Sequence, residues 1–190
     1  MITGHFGLAA GVKKIAPRLP LWSLLLATFW LDVIFTVLSM FGLESFAPMN
    51  PAKPVYGEVV IHAPYTHSLV GALLISALTG WLATLRWRKE GGMVVGAVVF
   101  SHWILDLLVH RPDLPLLPGN LGNLPLLGFG LWEYPVLSAI IELALALGGA
   151  YFYYRSTMEL KGVQRSRALT ASMVTGALLL LLFVLNVSGL

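Results

Sequence analysis

The sequence predicts an all-α polytopic membrane protein: five transmembrane helices plus a short N-terminal half-inserted helix, with residues 1–190 forming one integral membrane domain. Three observations carry this. Charged residues make up 11% of the chain, where soluble domains carry roughly 25%. Hydrophobic residues make up 57% and mean hydropathy is +0.82, which excludes a disordered chain as well. The apolar residues also gather in blocks of about 20, the length a bilayer requires.

Residues 3–16 form an apolar run of roughly 21 Å as a helix, too short to cross, so a half-inserted helix is expected. It is not expected to be a secretory signal, because Lys13, Lys14 and Arg18 follow the apolar run instead of preceding it. Gly4, Gly7 and Gly11 read as a surface for close helix packing. Full spans are expected at 19–43, 65–85, 91–110, 131–154 and 168–187. Pro64 suits the start of the second span, and Pro112 stops the third near His110. The last span, rich in leucine, reads as a plain anchor, and the six Trp and six Tyr as interfacial residues.

The net charge of +3 calls for no nucleic-acid partner. Lys13, Lys14 and Arg18, then Arg86, Arg88 and Lys89, then Arg155, Lys161, Arg165 and Arg167 fall in alternate connections. The loops 44–64 and 111–130 hold only Lys53 and Arg111. The positive-inside rule places the three basic connections in the cytoplasm and the two Pro/Gly-rich loops and the C-terminus outside.

Cysteine is absent, so a metal could be held only by His and carboxylate. Asp32, Asp106 and Glu142 fall inside expected spans, at a joint insertion cost on the order of 7–10 kcal/mol. His5, Asp32, His102 and Glu142 each lie about 16–18 Å from the cytoplasmic end of their segment, Asp106 about 22 Å and His67 about 27 Å. Groups from five segments thus converge in the outer half of the bilayer. His102, Asp106 and His110 are spaced by four and share a helix face. Thr66 or Ser68 could orient a neighbouring imidazole. A single buried His is more often a hydrogen-bonded packing residue, and a His–Asp pair can be interhelical glue; the convergence is what favours a site.

The order of motifs is Gly4-His5-Phe6-Gly7, then Asp32, then H-x-x-x-T-H-S from His62 to Ser68, then S-H-x-x-x-D from Ser101 to Asp106. Over residues 4–113 this resembles the YdjM-like family of inner-membrane metal-dependent hydrolases. The resemblance implies that His5, Asp32, His62, His67, His102 and Asp106 occupy the family's motif positions. It also implies a distant likeness to zinc-dependent phospholipase C and related helical nucleases. Where the family often shows D-x-D, this chain has one acid, in Trp30-Leu31-Asp32-Val33-Ile34.

The expected function is hydrolysis of a phosphoester in a lipid or lipid-linked substrate at the outer leaflet of the bacterial inner membrane. His5, Asp32, His67, His102 and Asp106 would hold Zn²⁺, one ion or two. Glu142 or His62 would be the general base, Arg111 would neutralise a phosphate at the mouth, and the two outer loops would form a lid. Two other classes fit the same residues: a metal- or proton-coupled transporter, and a metal-stabilised scaffold. The lack of an inverted repeat and of ionisable residues in the cytoplasmic half of the spans counts against transport.

Overall fold

In a computed structural model, residues 1–49, 56–57, 59–160 and 163–188 are described; Lys53 and Lys161 lie outside them. The chain is mostly helical: α1 (Ile2–Val12), α2 (Leu21–Thr28), α3 (Trp30–Met40), α4 (Leu69–Val109), α5 (Pro135–Glu159) and α6 (Arg165–Ser188). It is not wholly α. Within the connection between α3 and α4, β1 (Ser45–Pro48) and β2 (Val59–His62) pair antiparallel, Ser45 opposite His62. The alternation Val59, Ile61 inward and Val60, His62 outward gives the pair one apolar face.

Three helices, α4, α5 and α6, are long and apolar enough to cross a membrane, and α2 with α3 makes a fourth candidate if the pair is one span. The five separate spanning helices expected are therefore not found as such, for two physical reasons. The segment 19–43 breaks at Phe29, where α2 and α3 bend by 49°. The segments 65–85 and 91–110 run on into one helical stretch of 41 residues interrupted only at Trp87 (φ −124°, ψ 23°) and Arg88 (φ 58°, ψ −179°). That interruption is a reversal. In a straight helix Gly80 and Gly96 would lie about 24 Å apart, yet a Cβ on Gly80 would stand 3.1 Å from the Gly96 Cα. The two arms of α4 pack on each other through Gly80, Gly92 and Gly96.

α1 is too short to cross and lies against α5. Gly7 rests on the backbone of Leu145 and Ala146, and Gly149 on the backbone of Gly7. A side chain at either position would meet main chain, so the glycines set the helix separation as expected. α4 begins at Leu69, not near Pro64: Ser68 is its N-cap and accepts from the Gly71 N–H at 3.1 Å. The next two free amides, Leu69 and Val70, donate to the carbonyls of Pro115 and Leu116 in the loop after α4. At its other end α4 stops at His110, ahead of Pro112, as the sequence indicates. The main core is Leu24, Leu31, Val98, Val99 and Trp103 between α2, α3 and α4. Trp103 and Trp132 are buried and are not interfacial.

Candidate metal centre

Each polar side chain of the centre is placed by a local feature. The break at Phe29 frees the Thr28 carbonyl, which accepts from His102 Nδ1 at 2.7 Å, and it turns α3 so that Asp32 meets His67 and His102. The Ser68 cap fixes the turn carrying His67, whose carbonyl accepts from Trp103 Nε1 at 2.8 Å. The i, i+4 spacing on α4 sets His102 Nε2 3.0 Å from Asp106 Oδ2. α1 brings His5, which stacks on the His102 ring and places Nε2 3.1 Å from Asp106 Oδ1. The five expected ligands are thus brought together from α1, α3, the turn before α4, and the second arm of α4.

Four atoms form a compact set: His67 Nε2, His102 Nε2, Asp32 Oδ1 and Asp106 Oδ2. The imidazole nitrogens are 3.4 Å apart. Asp32 Oδ1 is 3.4 Å from each of them, and Asp106 Oδ2 is 3.4 Å from His67 and 3.0 Å from His102. A tetrahedral zinc site with bonds of about 2.0–2.1 Å has edges of about 3.3–3.4 Å. These spacings therefore match the edges of a metal polyhedron. His5, His102 and Asp106 form a second, overlapping triad whose ligand atoms lie within 4.8 Å of one another, as do those of Asp32, His67 and His102. The buried His/Asp groups could hold a metal ion.

The tautomers follow from the outer hydrogen bonds. Glu44 is buried and accepts at Oε1 from the N–H groups of Tyr65 and Thr66, at 2.9 and 2.8 Å, and at Oε2 from the Thr66 hydroxyl at 2.7 Å. With its one proton given to Glu44, Thr66 Oγ1 accepts from His67 Nδ1 at 2.8 Å. The Thr28 carbonyl can only accept, so His102 Nδ1 also carries a proton. Neutral imidazoles then turn Nε2 lone pairs inward, toward two carboxylates. Like charge and lone pairs gathered at these distances are relieved either by a bound cation or by protons on the imidazoles. The donor set, two or three imidazoles and two carboxylates without thiolate, suits zinc and related divalent ions.

The centre forms one wall of a cavity of about 520 Å³. His5, His67, His102 and Asp106 are buried, but the Asp32 side chain is 27% exposed, so the set is open on that side. Phe35, Phe46, Val59 and Ile61 supply apolar lining beside the polar Tyr56 and Asn186. His110 also lines the cavity, with Nδ1 2.8 Å from Asp113 Oδ1 and Nε2 3.9 Å from Asp106 Oδ2.

Glu142, His62 and Arg111 are not among the residues lining this cavity. Glu142 is fully buried and accepts from the N–H groups of Thr3 (2.7 Å) and Gly4 (3.2 Å), from the Tyr56 hydroxyl (2.7 Å) and from Asn186 Nδ2 (2.9 Å). It caps the N-terminus of α1, a structural reason for a carboxylate there. His62 is exposed at the end of β2. Arg111 Nη1 donates to the Gly57 carbonyl at 2.9 Å and so ties Gly57, ahead of β2, to the end of α4.

Sequence reading passed over three residues of this region. Glu44 lies at the start of a loop and gave no motif. Tyr56 and Asn186 both line the cavity and bond Glu142. Asn186 shows that the last helix is more than an anchor; a single amide in a leucine-rich span was the available signal. Of the two hydroxyls flanking His67, Thr66 orients the imidazole, while Ser68 caps the helix. No family model matches the chain, and no curated protein or solved structure is similar to it.

Proposed function

We propose that this protein is a membrane-embedded metal-dependent hydrolase acting on a phosphoester of a lipid or lipid-linked substrate. The observation that carries the reading is the set of two imidazole nitrogens and two carboxylate oxygens, 3.0–3.4 Å apart over the measured pairs, open through Asp32 to a cavity with partly apolar lining. Four protein ligands would fill a tetrahedron, so catalysis would use the exposed side at Asp32, with water replacing that carboxylate or entering as a fifth ligand. The motif resemblance to the YdjM-like family points the same way.

Asp32, His67, His102 and Asp106 would hold the ion, with His5 on the second oxygen of Asp106. A bound Zn²⁺ supplies a lowered water pKa and polarisation of the scissile bond. Thr66, Glu44 and the Thr28 carbonyl keep His67 and His102 in the metal-binding tautomer. His110, oriented by Asp113, faces the cavity where a proton can be taken up or returned at Nε2. Phe35, Phe46 and Ile61 would seat the apolar part of the substrate, and the strap tied by Arg111 would close over it.

The reading includes five crossings. The two arms of α4 count separately because the chain reverses at Trp87 and Arg88, and α2 with α3 forms one bent crossing. The basic connections would face the cytoplasm and the metal centre the outside of a bacterial inner membrane.

The test is metal analysis of detergent-purified protein, wild type beside His102→Ala and Asp106→Ala, followed by phospholipid turnover. About one equivalent of zinc or another divalent transition metal is expected in wild type and a loss in both variants, together with phosphoester hydrolysis. A wild type without transition metal overturns the reading and leaves a cluster held by protons. Metal uptake by proteoliposomes without hydrolysis would assign transport instead.

A further inference from the structure

A second and larger cavity, of about 700 Å³, lies at the other end of the molecule. Leu69, just after His67, and Arg86 stand at opposite ends of the first arm of α4, about 26 Å apart. Arg18, Arg86 and Arg88 line this cavity beside Trp87, Leu19 and Val94; the acid on its wall is Glu90. Among the described residues none of the three guanidinium groups forms an ion pair with a carboxylate, whereas Lys14 and Arg155 both pair with Glu159.

The arginines are held in place by the fold. Lys13 is buried and donates from Nζ to the carbonyls of Pro17, at 2.6 Å, and Leu19, which flank Arg18. Arg88 has φ 58° and ψ −179° at the reversal of α4, a positive-φ backbone that side-chain-bearing residues rarely adopt. A Cβ on Gly91 would strike the Trp87 Cβ, so glycine suits the point where the chain resumes its helix after the reversal.

Trp87 also lines an adjoining groove of about 200 Å³ between α2 and α4, with Leu26, Ala27, Leu82, Ala83 and Val95. The Trp22 and Trp87 rings, 5.8 Å apart, stand where cavity and groove meet. Three unpaired guanidiniums, then an indole pair, then an apolar channel is the order of chemistry along a phospholipid: phosphate, interface, acyl chain.

We propose that this end of the protein binds one anionic phospholipid, with its phosphate on Arg18, Arg86 and Arg88 and an acyl chain in the groove between α2 and α4. Charge complementarity selects the occupant. Guanidinium groups bind phosphate oxygens in forked pairs, and an excess of two positive charges on the wall disfavours a headgroup that carries its own ammonium. The site is separate from the metal centre and stands whether or not that centre is catalytic.

Native mass spectrometry of the detergent-solubilised full chain, titrated with phosphatidylglycerol or phosphatidylcholine, tests this. Wild type is expected to retain one phosphatidylglycerol with at least roughly tenfold preference. The triple variant R18Q/R86Q/R88Q loses the preference, and Thr79→Trp, at a partly exposed position of the groove away from the arginines, loses the bound lipid. The control R155Q/R165Q/R167Q removes the same charge elsewhere and keeps the preference, and inorganic phosphate does not displace the lipid. Equal retention of both lipids by wild type, or an undiminished preference in the first triple variant, overturns the proposal.

Discussion

A carboxylate buried among apolar helices must find donors, and Glu142 finds four, two of them the first free amides of α1. Glu142→Gln replaces one acceptor oxygen by a donor that faces other donors. It should cost about 1–3 kcal/mol and lower the unfolding midpoint by roughly 3–10 °C, while bound metal is unchanged. Loss of metal at unaltered stability would move Glu142 into the centre. Thr66 acts differently, through His67. Thr66→Val removes the acceptor that keeps Nδ1 protonated and should weaken metal affinity about 10–100-fold with the helical content intact, as read by competition against a metal-sensitive dye. Thr66→Ser should restore most of it, since the serine hydroxyl can make the same two bonds.

At the scale of elements, the placement of His5 depends on how closely α1 can approach α5. Two neighbouring glycines on α5 separate the causes. A Cβ at Gly149 meets the Gly7 main chain, while one at Gly148 meets nothing within 4 Å. Gly149→Leu should therefore push α1 outward, costing about 1–3 kcal/mol or more, and free His5 from Asp106. Gly148→Leu should be neutral or slightly stabilising, because glycine is a poor helix former. Thermal unfolding of the two variants side by side decides it; equal gains would mean that helix propensity, not contact, governs the pair. The break at Phe29 works in the same way as a positioning device: it interrupts a span the hydropathy pattern reads as continuous, and in doing so it presents the Thr28 carbonyl to His102 and turns Asp32 toward His67.

Across the whole molecule the basic connections gather at one end. Lys14 pairs with Glu159, Ser156 donates to the Lys13 carbonyl, and Arg18 shares a cavity with Arg86 and Arg88. The metal centre lies at the other end. With no cysteine in the chain, single thiols report sidedness directly. Leu121→Cys, in the loop after α4, should react with an impermeant maleimide in right-side-out vesicles. Ser166→Cys, at the basic start of α6, should react only in inverted ones. Labelling of both from the same side would refute the five-crossing arrangement.

Much of this was legible in the chain. Composition alone gave the solvent, because few charges and long apolar blocks leave a bilayer as the favourable surrounding. The spacing of His102 and Asp106 gave a shared helix face, because an α-helix brings i and i+4 together whatever surrounds it. The tertiary structure decided the rest. Hydropathy does not register a break such as Phe29 or a reversal such as Trp87–Arg88, because the apolar character continues through both. Nor does it tell a carboxylate that faces a cavity from one that caps a helix. Asp32 and Glu142 look alike in sequence, each a lone acid in an apolar run. One is left open beside two imidazoles, and the other is enclosed by four donors. That difference is fixed by donors from distant parts of the chain, and only folding brings those donors near.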